Sequence, residues 1–123
     1  MPGRLLVFKL GGALQAPRYP EFVRHPINTM GITSTGDATR GEAEYNRACS
    51  TCHGANAAVA YTADLRRSAA LRSPELWRQI VIDGVRRDSG MISFAPILTP
   101  ERAEDIRAYV LRNARRSQAR GER

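Results

Sequence analysis

Residues 49–53, Cys49-Ser50-Thr51-Cys52-His53, decide how this chain is read. They contain both of its cysteines and one of its two histidines. Two thiols at this spacing can bond to two points of one flat group, and a histidine beside the second thiol brings its imidazole over that group's face. Cys-x-x-Cys-His is the pattern in which thiols add across the two vinyl groups of a haem and the histidine binds the iron.

Rival uses of the pattern must also explain the histidine. A zinc site needs four ligands, and the other histidine, His25, lies in a proline-rich stretch with no second cysteine pair to complete a known spacing. A thioredoxin-like redox pair wants a strand-helix-strand setting, and residues 54–60, Gly-Ala-Asn-Ala-Ala-Val-Ala, offer none. A disulfide framework for a small secreted domain normally needs four cysteines or more.

Outward from the motif, the region 41–48 carries Ala43, Tyr45 and Ala48 between polar residues and predicts a helix running into Cys49, with Asp37 or Thr39 as cap. A second helix is predicted from Ser73 as cap and Pro74 at the first position, with Leu76, Trp77, Ile80 and Val81 as its apolar stripe and Gly84 as its stop. Trp77 faces either the haem or the core. The last helix repeats this grammar: Thr99 caps, Pro100 opens, Glu101 and Glu104 suit the positive end, and Ala103, Ile106, Tyr109, Val110 and Ala114 form the buried face. Residues 117–123 are expected to be a disordered tail.

Before the motif, residues 4–10 (Arg4, Leu5, Leu6, Val7, Phe8, Lys9, Leu10) read as one β-strand closed by Gly11 and Gly12. Residues 13–40 show no clear periodicity, are interrupted by Pro17, Pro20 and Pro26, and are expected to be a linker wrapping the surface. The start of the chain lacks a signal peptide's cleavage site and apolar length, so it reads as the cut edge of a larger protein. No stretch reaches the roughly 20 apolar residues of a membrane span.

The 123 residues make one small domain, for which a large apolar cofactor would supply missing core. Net charge is +7, and 18 of the 19 basic residues are arginines spread along the chain. That spread favours an acidic docking partner over nucleic acid, the plainer alternative being a solubilising surface.

An iron bound by His53 needs a sixth ligand. Met91 lies in a loop between the two later helices, beside Gly90, whose lack of a side chain suits close approach to a flat cofactor. Met30 competes from the proline-rich segment, and in the plainer reading Met91 is core filler. Histidine–methionine ligation closes both axial positions, so the expected function is electron transfer and not ligand binding.

Cys-x-x-Cys-His, the later Gly90-Met91-Ile92-Ser93-Phe94, and Ala108-Tyr109-Val110 in the last helix give residues 41–114 a resemblance to class I cytochromes c. The fold expected is therefore all-α, several helices around one haem, with an extended amino-terminal strand and linker. Together with residues 4–12 and Asp64-Leu65-Arg66, the chain more closely resembles the carboxyl-terminal end of quinohaemoprotein alcohol dehydrogenases. In that family a β-propeller binding pyrroloquinoline quinone (PQQ) oxidises an alcohol and passes electrons to a haem domain, which hands them to an external acceptor.

The resemblance implies that Cys49 and Cys52 hold haem c, that His53 and Met91 ligate its iron, and that Arg66 pairs with a haem propionate, unless Arg66 is an ordinary surface arginine. It further implies that residues 1–12 are the remnant of a closing propeller strand, that 41–116 form the cytochrome domain, and that PQQ belongs only to the missing partner domain. The setting implied is periplasmic, the electron donor the propeller and the acceptor a protein; the chain alone is not expected to oxidise alcohols. A free-standing periplasmic carrier and a haem sensor with an open sixth position are the alternatives. One departure stands out: these cytochromes usually have a proline ahead of the Asp-Leu pair, near the carbonyl that orients the iron-bound histidine, and this chain has Ala63.

Overall fold

The computed structural model describes residues 7, 9–13, 25–58 and 62–122. Helix α1 (Ala38–Ala48) begins where Asp37, in extended conformation, accepts hydrogen bonds from the Thr39 and Arg40 amides through its carboxylate. It runs into the one-turn helix α2 (Ser50–His53) through Cys49. Short 3₁₀ turns follow at Ala55–Ala57, Leu65–Arg67 and Ala69–Arg72. Helix α3 (Pro74–Arg78), capped by Ser73, continues into a wide π-type turn, Gln79–Asp83, that ends at left-handed Gly84. After a last 3₁₀ turn, Arg87–Ser89, the long helix α4 (Pro100–Ala119) starts at the Thr99 cap.

The core lies where α1 crosses α4. Tyr45 and Tyr109 meet there with ring centroids 5.0 Å apart, among buried Ile106, Val110 and Ala114. The backbones themselves touch at this crossing: a Cβ on Gly41 would lie 1.9 Å from the Asp105 carbonyl oxygen, so only glycine fits. Trp77, Val81, Leu71 and Leu98 extend the same core, with Leu65, Ile80, Met91 and Phe94 partly buried against it.

Residues 25–37 have no regular structure before α1, yet they are fastened to the helices. Ile27 and Ile32 are buried. Arg115 donates to the Ile32 carbonyl, Arg107 to that of Thr33, Arg72 to those of Asn28 and Met30, and the Gln118 side chain accepts from the Thr29 amide and hydroxyl. Part of the arginine excess is thus internal scaffolding, each fork of N–H donors serving backbone that lacks a ladder of its own.

The expected strand falls largely outside the described residues, and the expected tail is corrected. Among the described residues there is no β-strand; of the run 4–10 only residues 7, 9 and 10 are described, Val7 and Leu10 are exposed, and the rest lies outside the described residues. The expected disordered tail is ordered as far as it is described. Helix α4 runs to Ala119, Ser117 is buried, and left-handed Gly121 turns the chain so that the Glu122 amide donates to the Ser117 carbonyl.

Candidate haem site

The motif is coiled into a single turn. The amides of Cys52 and His53 both donate to the Cys49 carbonyl, at 3.2 and 3.0 Å. Cys49 is buried and Cys52 exposed, both as free thiols. Burial pushes the Cys49 thiol up to about 11, Arg47 opposing the shift and Cys52 adding to it, so Cys49 presents a neutral sulfur in apolar surroundings. The turn is fixed below by Tyr45, whose buried hydroxyl donates to the Gly54 carbonyl at 2.7 Å.

His53 is 8% exposed. Its Nδ1 lies 3.1 Å from the Ala63 carbonyl oxygen. A carbonyl only accepts, so Nδ1 carries the proton and Nε2 is left with the lone pair a metal requires. The orienting bond is made without the proline usual at this place. Thr62 holds the same segment from the other side, its hydroxyl donating to the Cys52 carbonyl at 2.6 Å.

Met91 is partly buried against the core, while Met30 is 78% exposed and its carbonyl accepts from Arg72. His25 is exposed and its carbonyl accepts from Arg67. Of the described thioethers, Met91 is therefore the inward one. Gly90 precedes it with a left-handed φ of 88°, a conformation that favours glycine, and a Cβ there would meet no protein atom within 4 Å. Gly84 makes a close approach within the protein, since an added Cβ would lie 2.8 Å from the Ser93 side chain and force apart the loop carrying Met91.

The two remaining candidates, Trp77 and Arg66, both make hydrogen bonds within the protein. Trp77 is buried with its indole N–H donating to the Ala103 carbonyl at 2.8 Å, and it borders a cavity shared with Ser34, Pro74, Pro100, Glu104 and Arg107, which none of Cys49, Cys52, His53 or Met91 lines. Arg66 is held by Asp64, Ser117 and Glu122. Sequence reasoning missed Thr62, Ser117 and Glu122, whose partners lie 10, 51 and 56 positions away with no periodic signal to connect them.

The donor set fits haem c. Two thiols on one turn, an imidazole with Nε2 free and an inward thioether are the groups needed for two thioether links and two axial bonds. Among the described residues no group of three or more His, Cys, Asp and Glu side chains forms a metal cage.

Comparison with known proteins supports this chemistry. Residues 36–110 match the family described as cytochrome c oxidase, cbb3-type, subunit III. The chain is 32% identical over 115 residues to the dehydrogenase subunit of the quinone alcohol dehydrogenase of Gluconobacter oxydans (strain 621H), covering 93% of this chain and 15% of that protein. It is 35% identical to quinohemoprotein alcohol dehydrogenase ADH IIB of Pseudomonas putida, over 88% of this chain and 16% of that protein. It is 33% identical to lupanine 17-hydroxylase (cytochrome c) of Pseudomonas sp, over 92% and 16%. The chain thus spans only about 15–16% of the length of these curated relatives. With the family match covering more than half of its residues around an intact Cys-x-x-Cys-His turn, the chain belongs to the cytochrome c family of cbb3-type oxidase subunit III, whose members bind haem c covalently.

Proposed function

We propose that this chain transfers electrons through one haem c, fixed by thioether links to Cys49 and Cys52 with His53 and Met91 as axial ligands, as the cytochrome domain of a PQQ-dependent dehydrogenase. The observation that carries the reading is the His53 Nδ1 to Ala63 carbonyl bond, which fixes the tautomer that presents Nε2 to a metal. When bound, the haem supplies an iron that cycles between ferric and ferrous states. The protein's part is to hold both axial groups in place, so that little rearranges as charge changes. Burial of His53 and packing of Met91, Phe94, Leu65 and Ile80 against the core would limit water around the residues that hold the group.

The dehydrogenase relatives support a PQQ dehydrogenase domain as electron donor, and the acceptor proposed is an external protein. Their Gram-negative hosts and the covalent haem support a periplasmic setting. No helix among the described residues is long and apolar enough to cross a membrane. This chain by itself then carries electrons without oxidising an alcohol.

The test is an absorption spectrum, oxidised and reduced, of the chain matured where haem c is attached, beside its Met91→Ala variant. Low-spin covalent haem that loses its thioether charge-transfer band only in the variant supports the ligand set. An unchanged spectrum in the variant removes Met91 from it, and failure of haem to attach overturns the reading.

A further inference from the structure

Arg66 is the most engaged polar side chain near the site. Its Nε and Nη2 grip the two oxygens of Asp64 at 2.9 Å each, a bidentate fork, while Nη1 donates to Ser117 Oγ at 2.9 Å and to Glu122 Oε2 at 2.7 Å. Arg67 adds a third contact to the same carboxylate, Nε to Oδ2 at 3.0 Å. The Asp64 carboxylate also accepts from the Arg66 amide, capping the 3₁₀ turn Leu65–Arg67. Asp64, Arg66 and Arg67 side chains are 16%, 11% and 9% exposed, so these pairs are largely shielded from water. Glu122 is drawn down to about 2, by Arg120 first, then Ser117 and Arg66.

The peptide that this cluster anchors is Ala63–Asp64, and its carbonyl is the one that accepts from His53 Nδ1. Thr62, the residue before Ala63, is itself pinned, its hydroxyl donating to the Cys52 carbonyl. The acceptor is therefore clamped on both sides, and the outer jaw of the clamp lies at the far end of α4.

We infer that Arg66 is a positioning residue for the iron's histidine: through Asp64 it holds the Ala63 carbonyl against His53, with Ser117 and Glu122 closing the linkage from the end of α4. This inference rests on His53 being the iron ligand. A well-held Nδ1–H···O bond makes the imidazole a stronger donor and stabilises the ferric state. Loosening the clamp weakens that donation.

The sign of the change in reduction potential separates this role from a purely electrostatic one. Removing a cation near the iron lowers the potential, because a positive charge favours the ferrous form. Releasing the histidine's hydrogen bond raises it.

The experiment compares haem-loaded parent, Arg66→Gln, Arg66→Lys, Glu122→Gln and Arg120→Gln by equilibrium redox titration and by proton NMR exchange of the His53 Nδ1–H in the reduced protein. Glu122 is 36% exposed, so its variant tests the clamp even if Arg66→Gln fails to fold. Arg120→Gln removes the same charge and also loses a Glu122 contact, but leaves the Asp64 fork intact. Expected are an upward shift in potential for Arg66→Gln with about tenfold faster Nδ1–H exchange, as for loss of one net hydrogen bond, smaller acceleration for Arg66→Lys and Glu122→Gln, and neither effect in Arg120→Gln. A fall in potential with unchanged exchange, or equal effects in Arg66→Gln and Arg120→Gln, overturns the inference while leaving the haem reading intact. Loss of haem attachment in the parent is instead a failure of the function proposed above.

Discussion

Residues 25–36 and the crossing of α1 on α4 lie against the same helix, but they are held by different means. The crossing is shape: Gly41 lets two backbones touch, and Tyr45, Tyr109, Ile106 and Val110 fill the space around them. The strap of residues 25–36 is chemistry: Ile27 and Ile32 dock, and arginines reach out to its carbonyls in place of strand or helix partners. The first kind of contact tolerates no added atom. The second tolerates change at any one donor, the less so the more deeply that donor is buried.

The largest effect is expected at the crossing. Gly41→Ala places a methyl group 1.9 Å from the Asp105 carbonyl and must push the helices apart, destabilising the domain by about 3 kcal/mol, as a fall in urea midpoint. In the strap, Arg107 is 2% exposed and joins Glu104 to the Leu71 and Thr33 carbonyls. Arg107→Leu leaves those acceptors without a partner and is expected to cost about 2–3 kcal/mol by the same measurement; a near-neutral result would mean that apolar packing, not its donors, holds the strap.

Asp105 is where the two regions meet, accepting from the Asp37 amide at 2.6 Å and from Arg40 at 2.9 Å. Burial pushes its carboxyl up, but the Arg40 and Asp37 hydrogen bonds more than offset this and hold it below its ordinary 3.8. A depressed carboxylate contributes stability that is fully present above that ordinary value and drains as the pH falls through the folded one. Thermal melts taken down through about pH 4 to 2 should therefore fall less steeply for Asp105→Asn than for the parent. The smallest effect is expected for Arg72→Ala. Its partners, the Asn28 and Met30 carbonyls, are exposed and can turn to water, so about 0.5 kcal/mol is lost, with amide exchange quickened only near residues 28–30.

The same contrast explains what could be read from the sequence. Ser73 and Thr99 were legible as caps, and Asp37 as one of two candidates with Thr39, because a cap acts on amides two or three residues away. The buried stripe of α4 was legible because its period is local. The haem motif was legible because its chemistry is packed into five consecutive residues. What was not legible depends on partners distant in the chain: Arg66 reaches Ser117 and Glu122, and nothing in its neighbourhood announces those two acceptors. Gly84 and Gly90 were separable only in three dimensions, one needed for closeness and the other for a turn.

The 64–67 turn receives the strap through Arg67 on the His25 carbonyl and the end of α4 through Arg66 on Glu122. The helical body is thus entered and left at one spot. Tension applied along the chain from both sides would load that turn in parallel with its ion pairs, while the α1–α4 crossing would lie outside the line of force. A pull on residues 25 and 122 would meet these charge-assisted bonds before the helix pair at the centre.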